Sequence, residues 1–345
     1  MFSFSVIDLQ LFAVNSADTN VTNTSPLETG DLSPEMKTFY DMTLLDEAGP
    51  NLVHQQFGQK RPIPKNGGKT IEFRKFSKLP KALTPLTEGV TPKGGALEVT
   101  AITSEVAQYG YYIVQSDVLE LTAIDNTIVE ATKLLGQQSG ITLDTIVRNA
   151  IVAGTNVSYA SKVNGSTETA VTSRAALDKT AKLTVKEVKK AVTKLRAVNA
   201  PKINGDYVCV IHPYLAYDLT NDPAWIDAHK YASPEEIYAG EIGKIHGCRF
   251  VETTEAKIWK DETCPSGLAV FAALFLGQNA YGVTEISGGG LQTIVKQKGS
   301  AGTADPLDQR SSVGWKAMLT AEILLPEYLV RLECCSDYSD SAEAN

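Results

Sequence analysis

Residues 1–35 are rich in Asn, Thr, Ser and Asp and show little periodicity, which predicts an arm. A helical pattern begins after Ser33-Pro34, a cap and first-turn pair, and Gly49-Pro50 ends it. Residues 58–96 form a long excursion rich in Gly, Pro and Lys. The following "LEVTAITSEVAQYGYYIVQ" (97–115) is dense in Val, Ile, Thr and Tyr and predicts strands. From Asp125, an N-cap candidate, Ile128, Ala131, Leu135, Ile146 and Ala150 fall on one helical face before Gly154. A helix over 126–153 would be about 42 Å long at 1.5 Å per residue. Gly136 and Gly140 weaken it from within.

Downstream, Thr184-x-x-Glu187 is a capping box opening an amphipathic helix through Val185, Val188, Val192 and Leu195, closed near Asn199 and Pro201. Ser233-Pro234-Glu235 starts another short helix. "YVCVI" (207–211), "CRFVE" (248–252), "LAVFAALFL" (268–276) and "LQTIVKQ" (291–297) read as strands, the first fully buried. The stretch 313–333 reads as strand pairs broken at Pro326. Strands and helices mix without regular βαβ alternation, so the fold class is α+β.

Length predicts about two domains, with 43% hydrophobic and 21% charged residues excluding global disorder. The longest apolar run, Leu268 to Leu276, falls well short of the roughly 20 residues that a membrane helix needs. The opening "MFSFSVIDLQLFAV" lacks a basic leader and holds Asp8 in its apolar part, so it reads as uncleaved and the chain as cytosolic when made. Cys209, Cys248, Cys264, Cys334 and Cys335 are odd in number and lack C-x-x-C spacing, which suits reduced thiols.

Chemistry is harder to find. Gly67-Gly68-Lys69-Thr70 imitates the end of a phosphate-binding loop, but the first glycine is replaced by Ile63 and a strand period follows instead of a helix. Asn66-Gly67 is better read as a tight turn. The histidines, His54, His212, His229 and His246, are scattered, and His246-Gly247-Cys248 lacks further local metal ligands. Gly288-Gly289-Gly290 reads as a turn, and Asp222, Asp227, Glu235 and Glu236 as a solvated helix face. The expectation is a protein that is not an enzyme, with no cofactor and no metal.

Charge is segregated. Lys60, Arg61, Lys65, Lys69, Arg74, Lys75, Lys78 and Lys81 stand against Glu72 alone, a balance of +7 within a chain of net charge −8. Residues 1–36 hold five acids and no Lys or Arg. A proline-broken excursion with few apolar groups cannot build its own core. It is either a solvated loop whose lysines guard an edge, or an arm ordered on another molecule with Ile71, Phe73 and Phe76 as anchors. A nucleic-acid-binding protein using 60–81 is the alternative function, though the net charge and the lack of interleaved aromatics count against it.

Four blocks in order carry a resemblance: "LSPEMKTFYDMTLLDEAGPNLVHQQFGQKRPIPKNGGKTIEFRKF", "TPLTEGVTP", "GEIGKIHGCRFVET" and "DPLDQRSSVGWK". Over about 32–333 the chain resembles the major capsid proteins of tailed bacteriophages related to the N4-like coat protein. The resemblance implies the Hong Kong 97-type capsid fold. It divides the chain into an N-terminal arm (1–57), an extended E-loop (58–112), a peripheral domain (113–182 and 298–345, spine helix about 117–154) and a mostly axial domain (183–297). It implies self-assembly into pentamers and hexamers of an icosahedral shell around double-stranded DNA, in the virion after assembly in the host bacterial cytoplasm. Its implied partners are other copies of the chain, with room for scaffolding, portal and decoration proteins, DNA contacted non-specifically at most, and no membrane.

Overall fold

Pro34, a residue suited to the first helical turn because its missing N–H has no partner there anyway, opens the first helix of a computed structural model of the chain. The structure describes residues 34–345 apart from 77, 78, 80, 87, 92, 93, 123–126, 166, 230–241, 266 and 301–304. The expected arm, the Asp125 cap and the helix at Ser233 therefore lie outside the described residues.

In chain order, α1 (Pro34–Ala48) leads to β1 (Gln59–Lys60), β2 (Thr70–Phe76), β3 (Val99–Glu105) and β4 (Ala107–Ser116). Next come α2 (Asp117–Thr122), α3 (Thr127–Val152), β5 (Val157–Tyr159), β6 (Lys162–Asn164), β7 (Thr167–Thr169) and α4 (Val185–Ala197). Then follow β8 (Tyr207–Ile211), α5 (Pro213–Thr220), α6 (Pro223–His229), β9 (Lys244–Ile245), β10 (Cys248–Glu252) and β11 (Ile258–Trp259). The last strands are β12 (Val270–Leu276), β13 (Tyr281–Thr284), β14 (Gln292–Lys296), β15 (Arg310–Ile323) and β16 (Leu329–Cys334).

The residues form two compact units, whose cuts differ from the expected domain limits. One comprises residues up to Leu52 with Gln108–Leu143 and Gly288–Met318. In it the glycines of α3 have a use that helix propensity does not reveal. A Cβ on Gly136 would stand 2.8 Å from the carbonyl oxygen of Leu44, and one on Gly140 would stand 2.6 Å from that of Ala48. Their spacing of four puts both on one face, against which the α1 backbone lies. The buried stripe of α3 includes Ala131, Leu135 and Leu143, whereas the expected Ile128, Ile146 and Ala150 are half-buried. Trp315 of β15 donates from Nε1 to Gln138 Oε1 at 3.0 Å.

The second unit comprises Val53–Ala107, Asp144–Ser287 and Leu319–Asn345. Its centre is a seven-stranded sheet ordered β5-β16-β12-β8-β10-β9, with β11 also on β12. Central β12, "VFAALFL", and β8, "YVCVI", are buried at every position, as continuous apolar runs require. Parallel β8 and β10 with α5 and α6 between them make one βαβ crossover inside an otherwise irregular order. Thr184 caps α4, accepting from Glu187 N, while Glu187 turns its carboxylate to Ser161 N and Lys190 instead of closing the box. Asp222, read above as solvated, accepts from Val185 N and Ala224 N, holding two helix starts. The strands either side of Pro326 belong to different sheets, β15 with β4, β13 and β14, and β16 with β12 and β5. All five cysteines are free and buried.

Candidate assembly interface

The basic stretch begins as an edge. Between Pro62 and Pro64, Ile63 bonds through its N–H to Glu285 O (2.8 Å) and through its carbonyl to Ser287 N (2.8 Å). Arg61 N reaches Val283 O, so alternate residues face β13 while the prolines, which lack the N–H, face away. The chain then turns through Pro64–Gly67, closed by Gly67 N to Pro64 O at 2.9 Å. Positive φ falls on Asn66 (68°) and Gly68 (87°), not on the expected Asn66-Gly67 pair. No helix follows, so this loop cannot present the N-terminus that a phosphate cradle requires.

β2 and β3 then form an antiparallel two-stranded ribbon, from Thr70↔Glu105 to Phe76↔Val99. Its alternation separates two faces. Glu72 and Arg74 point to solvent and pair with each other at 2.9 Å, while Ile71, Phe73 and Lys75 turn inward to different depths. Phe73 is 4% exposed, opposite Ile102. A Cβ on Gly282 would meet the Phe73 ring at 2.8 Å, so the ring occupies the place of a missing side chain on β13. Ser104 Oγ and Thr320 Oγ1, 2.9 Å apart, add a polar tie at the ribbon's root.

The predicted residues thus divide. Phe73 is used within its own chain, which removes it from the anchors expected for a partner, and Ile71 is half-buried. Lys60, Arg61, Lys65, Lys69, Arg74 and Lys81 are exposed, and Lys75 is half-buried. Phe76 pairs by its backbone with Val99, and Lys78 lies outside the described residues. Between β2 and β3, Leu79, Leu83 (81% exposed), Leu86 (77%), Val90 and Leu97 stand in solvent, as does Val99 at the start of β3. Leu79, Leu83, Leu86 and Val90 were missed: counted among prolines and glycines they have neither helix nor strand period, yet they contradict the view of the excursion as poor in apolar groups.

The other candidate groups are structural. His212 Nδ1 caps α5 by accepting from Tyr214 N, and burial holds its imidazole below the ordinary range. His246 (φ 54°) and Gly247 (φ 77°) are the two turn residues between β9 and β10, a conformation that suits a tight hairpin. His54 is fully buried against Asp144, with Nδ1 2.6 Å from Oδ2. Among the described residues no cluster of three or more His, Cys, Asp or Glu could hold a metal, and no helix is long and apolar enough to cross a membrane.

A stretch of mostly exposed cations that leads into a two-stranded ribbon with an apolar tip can do little chemistry but can grip another surface. A family model described as phage capsid protein matches residues 116–300, more than half of the chain. The chain belongs to this family. It is a structural protein of the capsid shell, a virion component that self-associates into capsomers. That assignment decides between the shell and the nucleic-acid alternative in favour of the shell. No curated protein matches the chain. Among solved structures, the capsid of cyanophage P-SCSP1u is 15% identical with a TM-score of 0.61, covering 95% of this chain and 98% of that one. The cyanophage Pam1 capsid gives 12% and 0.63, covering 98% and 100%. The acid-stable capsid of Helicobacter pylori bacteriophage KHP30 gives 12% and 0.58, covering 97% and 99%. These likenesses establish that the capsid protein has the Hong Kong 97-type fold, α+β in class.

Proposed function

We propose that this capsid protein closes into pentamers and hexamers of an icosahedral shell around double-stranded phage DNA, each copy laying its ribbon on an adjoining copy. The observation that carries this is the excursion that holds the ribbon: residues 60–81 carry +7 on a chain of net charge −8, most of their cations are exposed, and solvent-facing leucines follow at the tip. The rest of the chain is therefore more acidic than the whole, which favours contact between one copy's ribbon and another copy's body. A rotational head-to-tail contact of that kind closes rings.

In this reading 1–57 is the N-terminal arm, 58–112 the E-loop, 113–182 and 298–345 the peripheral domain, and 183–297 mostly the axial one. Assembly takes place in the host bacterial cytoplasm, with scaffolding, portal and decoration proteins as further partners and DNA contacted without sequence preference. Exposed Lys65 and Lys69 lie on the neighbour's acidic surface. The K65E/K69E double variant should keep the far-ultraviolet circular dichroism of the folded monomer and form no shells under electron microscopy. Normal shells from that variant would overturn the proposal.

A further inference from the structure

In the first unit β15 pairs with both β14 and β4, and its side chains divide between two faces. Val313 and Trp315 are buried, Trp315 against Gln138 of α3, and their β14 partners Val295 and Thr293 share that face. Ser312 and Gly314, opposite Lys296 and Ile294, therefore belong to the other face. A Cβ on Gly314 would stand 2.6 Å from Tyr112 Cβ, which sets Tyr112 of β4 beside them. On this second face Tyr112, Val114, Ile294 and Lys296 are exposed.

A cleft of about 380 Å³ opens at its Arg310 end. Lys296 and Arg310 line it against one acid, Asp305, a local balance of +1 in a chain of net charge −8. Asp305 is buried; its Oδ2 accepts from Arg310 N at 2.8 Å and lies 3.8 Å from Arg310 Nε, an ion-pair distance longer than a charge-assisted hydrogen bond. Three hydroxyls, those of Ser300, Ser311 and Ser312, complete the polar wall. Ser311 is only 8% exposed, yet its Oγ has no hydrogen-bond partner among the described residues. A buried hydroxyl left unpaired is costly, and beside two cations the acceptor that suits it is an anion. Donors converge from β14, from β15 and from the loop at Ser300, which matches an oxyanion with oxygens on several sides better than a flat carboxylate.

We propose that this cleft binds a phosphate oxyanion, free phosphate or a phosphodiester of DNA, with Ser311 Oγ donating to it and Lys296 and Arg310 balancing its charge. The site does not require the ribbon contact; only DNA as the source rests on the reading of the chain as a shell around DNA.

The test titrates full-length, unassembled protein with inorganic phosphate by isothermal titration calorimetry. Saturable binding is expected, with Kd raised about tenfold by S311A and by K296Q. Ser311→Ala removes a hydroxyl that bonds nothing in the fold, so this variant should melt with the parent while losing affinity. K186Q, on α4 of the second unit, controls for general surface charge and should bind as the parent does. Absence of saturable binding, binding that S311A and K296Q leave unchanged, or an equal loss in K186Q overturns the proposal. A second titration with a short DNA duplex separates the sources. A duplex that competes with phosphate, and that S311A weakens, assigns the site to the DNA backbone; a duplex that leaves phosphate binding unchanged assigns it to free phosphate. K65E/K69E should retain phosphate binding whether or not it forms shells, so the two readings fail separately.

Discussion

His54 and Asp144, ninety residues apart in sequence, meet with both side chains fully buried: Asp144 Oδ2 lies 2.6 Å from His54 Nδ1, and Oδ1 accepts from the His54 backbone N–H at 2.7 Å. The Tyr281 hydroxyl donates to the His54 carbonyl, so the chain that enters the basic stretch is held by a helix and a strand together. Removing one partner of a buried pair strands the other, at a cost of about 3–5 kcal/mol. Asp144→Ala should therefore lower the unfolding free energy from urea denaturation by that much, and Asp144→Asn, which keeps one acceptor, by less. An Ala variant as stable as the parent would show that the pair holds nothing.

Gly140 sets two effects against each other. Alanine in a helix interior is favoured over glycine by about 1 kcal/mol, but the added Cβ would sit 2.6 Å from the Ala48 carbonyl oxygen, a backbone atom that cannot rotate away. Overpacking of this kind costs about 1–3 kcal/mol, so Gly140→Ala should destabilise. Gly94→Ala, where no atom lies within 4 Å, should leave the thermal midpoint unchanged.

The tip leucines separate folding from assembly. Leu83 and Leu86 are mostly exposed, so replacing both with Ser should alter monomer stability by no more than about 0.5 kcal/mol. If a neighbour covers them, each loses about 1.5–3 kcal/mol of burial, and shell yield at fixed concentration should fall by more than about tenfold. Full assembly of the double variant would place the tip outside the contact.

High pH should unfold the protein through its thiols. Burial holds the Cys209 and Cys334 thiols well above the ordinary 9.0 and pushes Cys335 up to about 12. From about pH 9 the unfolded chain loses these protons while the folded chain keeps them, so stability present below pH 9 is lost up to about pH 12. Each such group contributes a slope of about 1.4 kcal/mol per pH unit. Urea midpoints should drop between pH 8.5 and 10.5, and less steeply in Cys335→Ala; a flat profile would refute the buried neutral thiols.

Much of the element plan was legible because local periods and caps act over a few residues. The α4 face through Val185, Val188, Val192 and Leu195, the Thr184 cap, the buried β8 and β12 runs and the break at Pro326 all lie where the pattern placed them. The basic stretch 60–81 was legible for the same reason: eight cations against one acid is a fact of order along the chain.

What the sequence by itself determined is which segments become helix, strand or excursion, and where charge is concentrated. Only the tertiary structure decided that Gly136 and Gly140 are a seat for α1, that Phe73 fills the space above Gly282, and that His54 finds Asp144. Propensity and period act between neighbours in the chain, whereas close packing and buried hydrogen bonds act between atoms that only folding brings together.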